Sequence, residues 1–315
     1  MAEHKHEHDH SHNHENFESS KKEAIIRIAV SAVFFAAGYI ANEVLGAPRI
    51  INLILFGISF LAVGFEVVKD AFEDIFKGKV FNECFLMSVA SLGAFAIGEY
   101  SEGCAVMLLY SIGEFIHGAA ISRCKKAIRK IETDSGKPHI HEKSENESFI
   151  AAFAKVYTPI VCAVAILVVL VPPLFLSQSW KEWIYRGLSV LVIGCPCAIV
   201  ISVPLSFSCA IDACTRKGIY VYHTNALERA YKNKTTQGIL IENESEEKLS
   251  FVRKAAKKAV VISRENIAVA LAVKLVVLIL AVFLNKELPM WLAAFSDVGI
   301  SFIAILNSLR SLRIK

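Results

Sequence analysis

Polar stretches and apolar blocks of bilayer length alternate along the chain. Eight apolar segments stand out, at about 24–41, 50–68, 83–98, 101–121, 156–176, 184–214, 266–284 and 288–309. A hydrocarbon core about 30 Å thick is spanned by about 20 helical residues. A helix also satisfies each backbone polar group within its own segment. The pattern therefore predicts an all-α polytopic membrane protein with eight transmembrane helices. Between and around these blocks lie a polar, disordered tail at 1–23, loops at 122–155 and 215–265, and a basic tail at 310–315. Lys69 to Phe81 reads as an amphipathic connector. Within 215–265, a β-branched patch from Gly218 to Tyr222 precedes a helix predicted for Glu246 to Val261, which can run on into the seventh segment. At this length the loop has room for a small folded remnant and not for a catalytic domain of ordinary size.

Composition agrees with this reading: 54% of the 315 residues are hydrophobic and the mean hydropathy is +0.47. The net charge of +4 matters less than where the cations fall. The 122–155 loop carries Arg123, Lys125, Lys126, Arg129 and Lys130, the 215–265 loop carries Arg253, Lys254, Lys257 and Lys258, and the tail ends Arg310, Arg313, Lys315. Loops on the other side offer mainly Arg49, Lys181 and Lys286. By the positive-inside rule, both termini and both long loops are expected in the cytoplasm, with the chain in the cytoplasmic (plasma) membrane. No cleavable signal and no nucleic-acid partner are expected. The eight cysteines lie mostly in apolar blocks and are read as reduced thiols rather than a secreted disulfide framework.

Chemistry enters at Ile193-Gly194-Cys195-Pro196-Cys197-Ala198, inside the sixth segment. Pro196 lacks an N–H and its ring clashes with the carbonyl four residues back, Val192, so the helix must kink or unwind. Pro204 repeats the effect and frees Val200. Loosened backbone at this depth is tolerated where protein or a water-filled cavity satisfies it, and discontinuous helices of this kind carry ion sites in transporters. Around a kink, Cys195 and Cys197 can face one ion. Lys274 and Asp297 sit near the middle of the last two segments. Each alone costs about 2.5–3.5 kcal/mol at the bilayer centre, so each is expected to face the interior and find a partner. Two thiolates and a carboxylate suit Zn²⁺ and softer ions such as Cd²⁺ and Pb²⁺, with Lys274 balancing charge. The competing reading is a Lys274–Asp297 pair that only locks two helices beside cysteines packed as small hydrophobes.

Weaker signals surround this set. Glu102 lies at the hairpin between the third and fourth segments, and Glu114 lies with His117 towards the inner end of the fourth; both are candidates for an ion path, whereas Glu99 can equally face water. His4, His6, His8, His10, His12 and His14 alternate with charged and polar residues, a composition that gathers divalent metals or serves as a solvated tail. Cys84, Cys104, Cys162, Cys209 and Cys214 have no metal-ligand spacing and are read as packing residues.

Gly194-Cys195-Pro196-Cys197-Ala198, Ile201-Ser202-Val203-Pro204-Leu205, Arg216-Lys217-Gly218-Ile219, Ala226-Leu227-Glu228-Arg229-Ala230, Leu86-Met87-Ser88-Val89-Ala90 and Ile112-Gly113-Glu114 together resemble the membrane region of heavy-metal P-type ATPases of the Zn²⁺/Cd²⁺/Pb²⁺ subgroup. The resemblance implies two leading helices before six core helices, with the sixth helix broken at Cys-Pro-Cys. It also implies an ion site made of Cys195, Cys197, Asp297 and Lys274, and a pathway role for Met87, Glu102 and Glu114. The family's soluble machinery has no counterpart. The loop 122–155 lacks the Thr-Gly-Glu motif of an actuator domain, and 215–265 contains no aspartate to serve as a phosphorylation site. Phosphoryl transfer of this type needs a carboxylate nucleophile, Mg²⁺ ligands and phosphate contacts, so no nucleotide and no autonomous ATP hydrolysis are expected. The leading expectation is binding and passage of Zn²⁺ or Cd²⁺ across the membrane. A metal sensor or buffer is one alternative, and the transport subunit of a split pump, driven by a separate cytoplasmic protein partner, is the other.

Overall fold

The computed structural model of the protein describes residues 14–77, 82–135, 145–222, 224–232, 238–241, 245–283 and 289–312. Ten α-helices appear among them: α1 (His14–Glu43), α2 (Arg49–Phe76), α3 (Glu83–Ala96), α4 (Tyr100–Ser135), α5 (Glu145–Leu176), α6 (Trp180–Ile193), α7 (Cys197–Thr215), α8 (Thr224–Lys232), α9 (Glu246–Phe283) and α10 (Met290–Leu309). Two short strands, β1 (Ile219–Val221) and β2 (Ile239–Ile241), pair antiparallel with Tyr220 opposite Leu240. Lys21–Glu43, Arg49–Phe76, Tyr100–Ser122, Val156–Leu176, Trp180–Thr215 and Met290–Leu312 are long and apolar enough to cross a membrane, and α3 is apolar but shorter. The protein is a multi-pass helical membrane protein.

Several helices outrun the apolar blocks that announced them. α1 begins at His14, inside the stretch read as a tail, and α2 continues to Phe76 through the predicted connector. α4 reaches Ser135 and α5 starts at Glu145, so both enter the predicted loop at 122–155. The added turns are rich in Glu, Lys, Arg and Ala, which hold a helix in water by intrinsic propensity. His4, His6, His8, His10 and His12 lie outside the described residues; of His14 only its place at the start of α1 is described.

The bundle is organised around α6 and α7, whose side chains are mostly buried. α7 packs against α4, α5, α9 and α10, while α6 packs against α3, α5, α9 and α10. α1 and α2 pair at one flank, where the Ser31 and Ser59 hydroxyls lie 3.0 Å apart and Cys104 of α4 donates to Ser59 at 3.0 Å. Such polar contacts matter in lipid, which supplies no hydrophobic drive between apolar helices. The turn from α3 to α4 needs Gly98, whose φ of +88° is a left-handed conformation that side chains disfavour.

Beyond the membrane helices, β1, β2, α8 and the first half of α9 form a small unit. Its core of Ile219, Val221, Leu227, Phe251 and Val252 is continuous with Phe207, Ala210 and Ile211 of α7. Ala255, Ala256 and Ala259 let α9 approach α7 closely. Lys217 Nζ sits 4.3 Å from the ring centre of Phe251, a cation–π contact at the corner of this unit.

Candidate metal centre

α6 stops at Ile193 and α7 resumes at Cys197, with Gly194, Cys195 and Pro196 between them. Gly194 is required there by crowding rather than by conformation, its backbone being right-handed helical. A Cβ on it would lie 2.1 Å from Val161 Cγ1 and 3.0 Å from the Val190 carbonyl oxygen. The proline clash was expected to free the carbonyl of Val192. Instead that oxygen accepts from the Cys195 N–H at 3.3 Å, a tight turn that shifts the loss downstream. Among the groups left over are the carbonyls of Ile193 and Cys195. Lys274 of α9 supplies both, donating from Nζ to Ile193 O at 3.1 Å and to Cys195 O. Its third contact is an ion pair with Asp297 Oδ1 of α10, with both side chains almost fully buried.

Cys195 and Cys197 are both buried among Leu86, Met87, Ala90, Val106, Met290 and Ala294. The structure joins the two as a disulfide, with their Cα atoms 5.5 Å apart. For this pair the expectation of reduced thiols is corrected: the break turns residues two apart so that both sulfurs emerge on one side. Cys84, Cys104, Cys162, Cys209 and Cys214 form no disulfide among the described residues.

Glu83 is the residue that sequence reasoning missed. Its carboxylate and the two sulfurs lie within 4.8 Å of one another, a grouping able to hold a metal ion. It opens α3 directly after Asn82, whose Oδ1 accepts the Phe85 N–H at 2.7 Å and so fixes the first turn. The available signal was an acid as the first residue of an apolar block. Asp297, by contrast, has its Oδ1 committed to Lys274, although the residue lines the same small cavity as Glu83 and Cys197.

That cavity, of about 30 Å³, is also bounded by Met87, Val106, Tyr110, Glu114 and Ser301. A void of this size admits one or two water-sized species. Glu83, Tyr110 and Glu114 also line a second cavity of about 390 Å³ that runs between α1, α2, α3 and α4 past Arg27, Glu66 and Asp70. Glu114 thus borders both cavities, and Met87 borders the smaller one, which Cys197 also lines. Glu102 borders neither. It stands about 18 Å from Glu114 along α4, at 1.5 Å per residue, where its Oε2 accepts the Trp291 N–H at 2.8 Å and caps the start of α10.

Chemically, the centre combines two cysteine sulfurs, a carboxylate beside them and a neutralised ion pair inside a helix break. Two thiolates would balance a divalent cation and leave the Lys274–Asp297 pair neutral in itself. Soft divalent ions match sulfur donors, whereas Mg²⁺ and Ca²⁺ demand oxygen ligands.

In fold, the bundle is similar to a solved structure. It superposes on a crystal structure of a zinc-transporting PIB-type ATPase in the E2.Pi state with a TM-score of 0.62, at 15% identity, covering 92% of this chain and 100% of that one. In sequence, the chain resembles the membrane region of heavy-metal-transporting P-type ATPases. It is 28% identical to a cadmium, zinc and cobalt-transporting ATPase of Bacillus subtilis, matching 68% of this chain and 44% of that protein. A protein of the same description from Helicobacter pylori is 28% identical over 54% of this chain and 39% of its own length. The zinc/cadmium/lead-transporting P-type ATPase of Escherichia coli is 43% identical over 35% of this chain and 14% of that protein. The chain thus spans less than half the length of these relatives. No family model matches it.

Proposed function

We propose that the protein is a metal-ion transport core that crosses the membrane eight times and binds Zn²⁺ or Cd²⁺ at the Cys195-Pro196-Cys197 break, with Pb²⁺ as a further cargo. The observation that carries this reading is the meeting of both sulfurs and Glu83 within 4.8 Å, beside a Lys274–Asp297 pair in the same break. In the dithiol form, Cys195 and Cys197 supply thiolate ligands and Glu83 a carboxylate. Asp297 remains a candidate ligand through its second oxygen, and Lys274 holds the unwound backbone open while balancing charge. Cargo reaches the site from the wider cavity past Glu114 and Met87, and leaves on the side where Glu102 caps α10.

Both termini and the small unit of β1, β2 and α8 are placed in the cytoplasm, because Lys and Arg gather there. Residues 1–23 would concentrate metal at that mouth. Neither 122–155 nor 215–265 supplies a phosphorylated carboxylate or a nucleotide site, so passage follows the metal gradient or a separate cytoplasmic partner. The continuous core from α7 into β1 and α8 favours such a partner as the second reading, since force applied to that unit would reach the broken helix directly.

Metal uptake by proteoliposomes, with and without ATP, tests both. Gradient-driven Zn²⁺ or Cd²⁺ flux that disappears in the Cys195→Ala/Cys197→Ala variant is the expected result. Tight metal binding without flux would replace transport by sensing, and unchanged binding and flux in that variant would overturn the site.

A further inference from the structure

At the end of the bundle opposite β1 and β2, three helices begin around one cavity: α2 at Arg49, α4 at Tyr100 and α6 at Trp180. The cavity measures about 330 Å³, and Asn42, Arg49, Asn52, Tyr100, Ser101 and Lys181 are among the residues that line it. The first N–H groups of a helix have no acceptor within it, and they give that end a partial positive charge. Pro48 before α2 and Ser179 before α6 make no side-chain cap, and α2 has no acid in its first turn. The nearby acids are engaged elsewhere. Glu99 accepts from Lys181 Nζ at 2.8 Å, Glu102 accepts the Trp291 N–H, and Glu182 accepts from Arg186 at 2.7 Å.

Arg49 is different. It opens α2, where the helix dipole disfavours a cation, and it makes neither a hydrogen bond nor an ion pair with the described residues. Its guanidinium brings five N–H donors in a fork suited to phosphate. The hydroxyls of Tyr100 and Ser101 also have no hydrogen-bond partner among the described residues. The lining thus carries two cations, Arg49 and Lys181, against one acid, Glu99. Asn52 adds the opposite demand. It is only 6% exposed, and its Nδ2 donates to Asn42 Oδ1 at 2.7 Å and to Ala47 O at 3.3 Å. That leaves Asn52 Oδ1 a buried acceptor with no donor. An occupant must therefore accept from Arg49 and donate to Asn52.

We propose that this cavity binds a phosphate group that brings a hydroxyl with it. The phosphate oxygens accept from Arg49 and from the first N–H groups of α2 and α4, as anions do at helix starts, while the hydroxyl donates to Asn52 Oδ1. Inorganic phosphate and the headgroup of phosphatidylglycerol share this chemistry, one free in water and the other held in the leaflet. Sulfate has the charge without the donor at neutral pH. Phosphatidylcholine has the phosphate without a hydroxyl, and its ammonium would meet Arg49. None of the lining residues belongs to the metal centre.

Isothermal titration of the purified full chain, in a non-ionic detergent at fixed ionic strength, tests the site with four probes. These are inorganic phosphate, sulfate, dihexanoyl phosphatidylglycerol and dihexanoyl phosphatidylcholine. Wild type should bind phosphate or phosphatidylglycerol saturably, and sulfate and phosphatidylcholine several-fold more weakly. Arg49→Gln should weaken the tighter probe about tenfold, and Arg49→Lys, which keeps the charge and loses the fork, should weaken it less. Lys254→Gln, at the other end of the bundle, should change nothing. Tighter binding of phosphatidylglycerol than of phosphate identifies the leaflet as the source, and the reverse order identifies the free anion. The proposal is overturned if neither probe saturates, if sulfate binds as tightly as phosphate, or if Arg49→Gln and Lys254→Gln behave alike. Cd²⁺ binding on the same samples should be unchanged in Arg49→Gln, which separates this result from the fate of the metal site.

Discussion

Replacing Lys274 by methionine should destabilise the bundle more than removing Lys274 and Asp297 together. The structure gives Lys274 three tasks: it neutralises Asp297 and satisfies the carbonyls of Ile193 and Cys195. Lys274→Met leaves a buried carboxylate without its counter-charge, a loss of about 3–5 kcal/mol when one partner of a buried pair is removed. The two orphaned carbonyls add about 1–3 kcal/mol each. The single variant should therefore lose on the order of 5 kcal/mol or more. Lys274→Met/Asp297→Leu removes the uncompensated charge and keeps only the carbonyl loss, about 2–6 kcal/mol. Equilibrium unfolding in mixed micelles with increasing dodecyl sulfate, metal-free and at neutral pH, measures both. The reasoning fails if the double variant is no more stable than Lys274→Met, or if Lys274→Met costs less than about 1 kcal/mol, since a satisfied backbone and a relieved charge would then need no lysine.

Two further substitutions probe the break and its ligands. Glu83→Gln should weaken Cd²⁺ binding about tenfold, equivalent to 1.4 kcal/mol, with unfolding in micelles unchanged; isothermal titration of the reduced protein gives the number, and an unaltered affinity would remove Glu83 from the site. Gly194→Ala should cost about 1–3 kcal/mol through overpacking, because its new methyl meets Val161 Cγ1 at 2.1 Å; adding Val161→Ala should recover part of the loss, and no recovery would locate the strain in the backbone instead.

Much of the bundle was legible because lipid imposes a simple rule: a spanning segment must be helical and apolar for about 20 residues. The meeting of Lys274 and Asp297 followed from depth alone, since each is an expensive charge near the middle of neighbouring segments. The limits were equally physical. Hydropathy marks where lipid begins, not where a helix ends, so the polar extensions of α4 and α5 past Ser122 and before Val156 were read as loop. Glu83 was hidden because it stands at a segment border, where an acid ordinarily faces water. The role of Glu102 as a cap on α10 depends on a tertiary contact between residues far apart in the chain. The identity of the freed carbonyls could not be read from proline sterics, because the turn at Cys195 re-used the carbonyl of Val192.

Under the proposed function, the locking pair and the metal site, set against each other as rival readings of the sequence, would be one device. A helix broken at mid-membrane leaves carbonyls that hydrocarbon cannot solvate. A neutral side-chain amide offers at most two N–H donors; an ammonium, with three, can serve two carbonyls and still reach a third partner. The charge that makes Lys274 so effective demands an anion, and Asp297 is that anion. Once the pair is in place, the carbonyls of Ile193 and Cys195 are satisfied inside the bundle, and both sulfurs lie on the side of Glu83. The pair therefore stabilises the bundle by the same contacts that shape the site. Separating the two roles requires the double variant: it should retain more stability than Lys274→Met, yet bind Cd²⁺ no better, because restored charge balance does not rebuild the cap on Ile193 and Cys195.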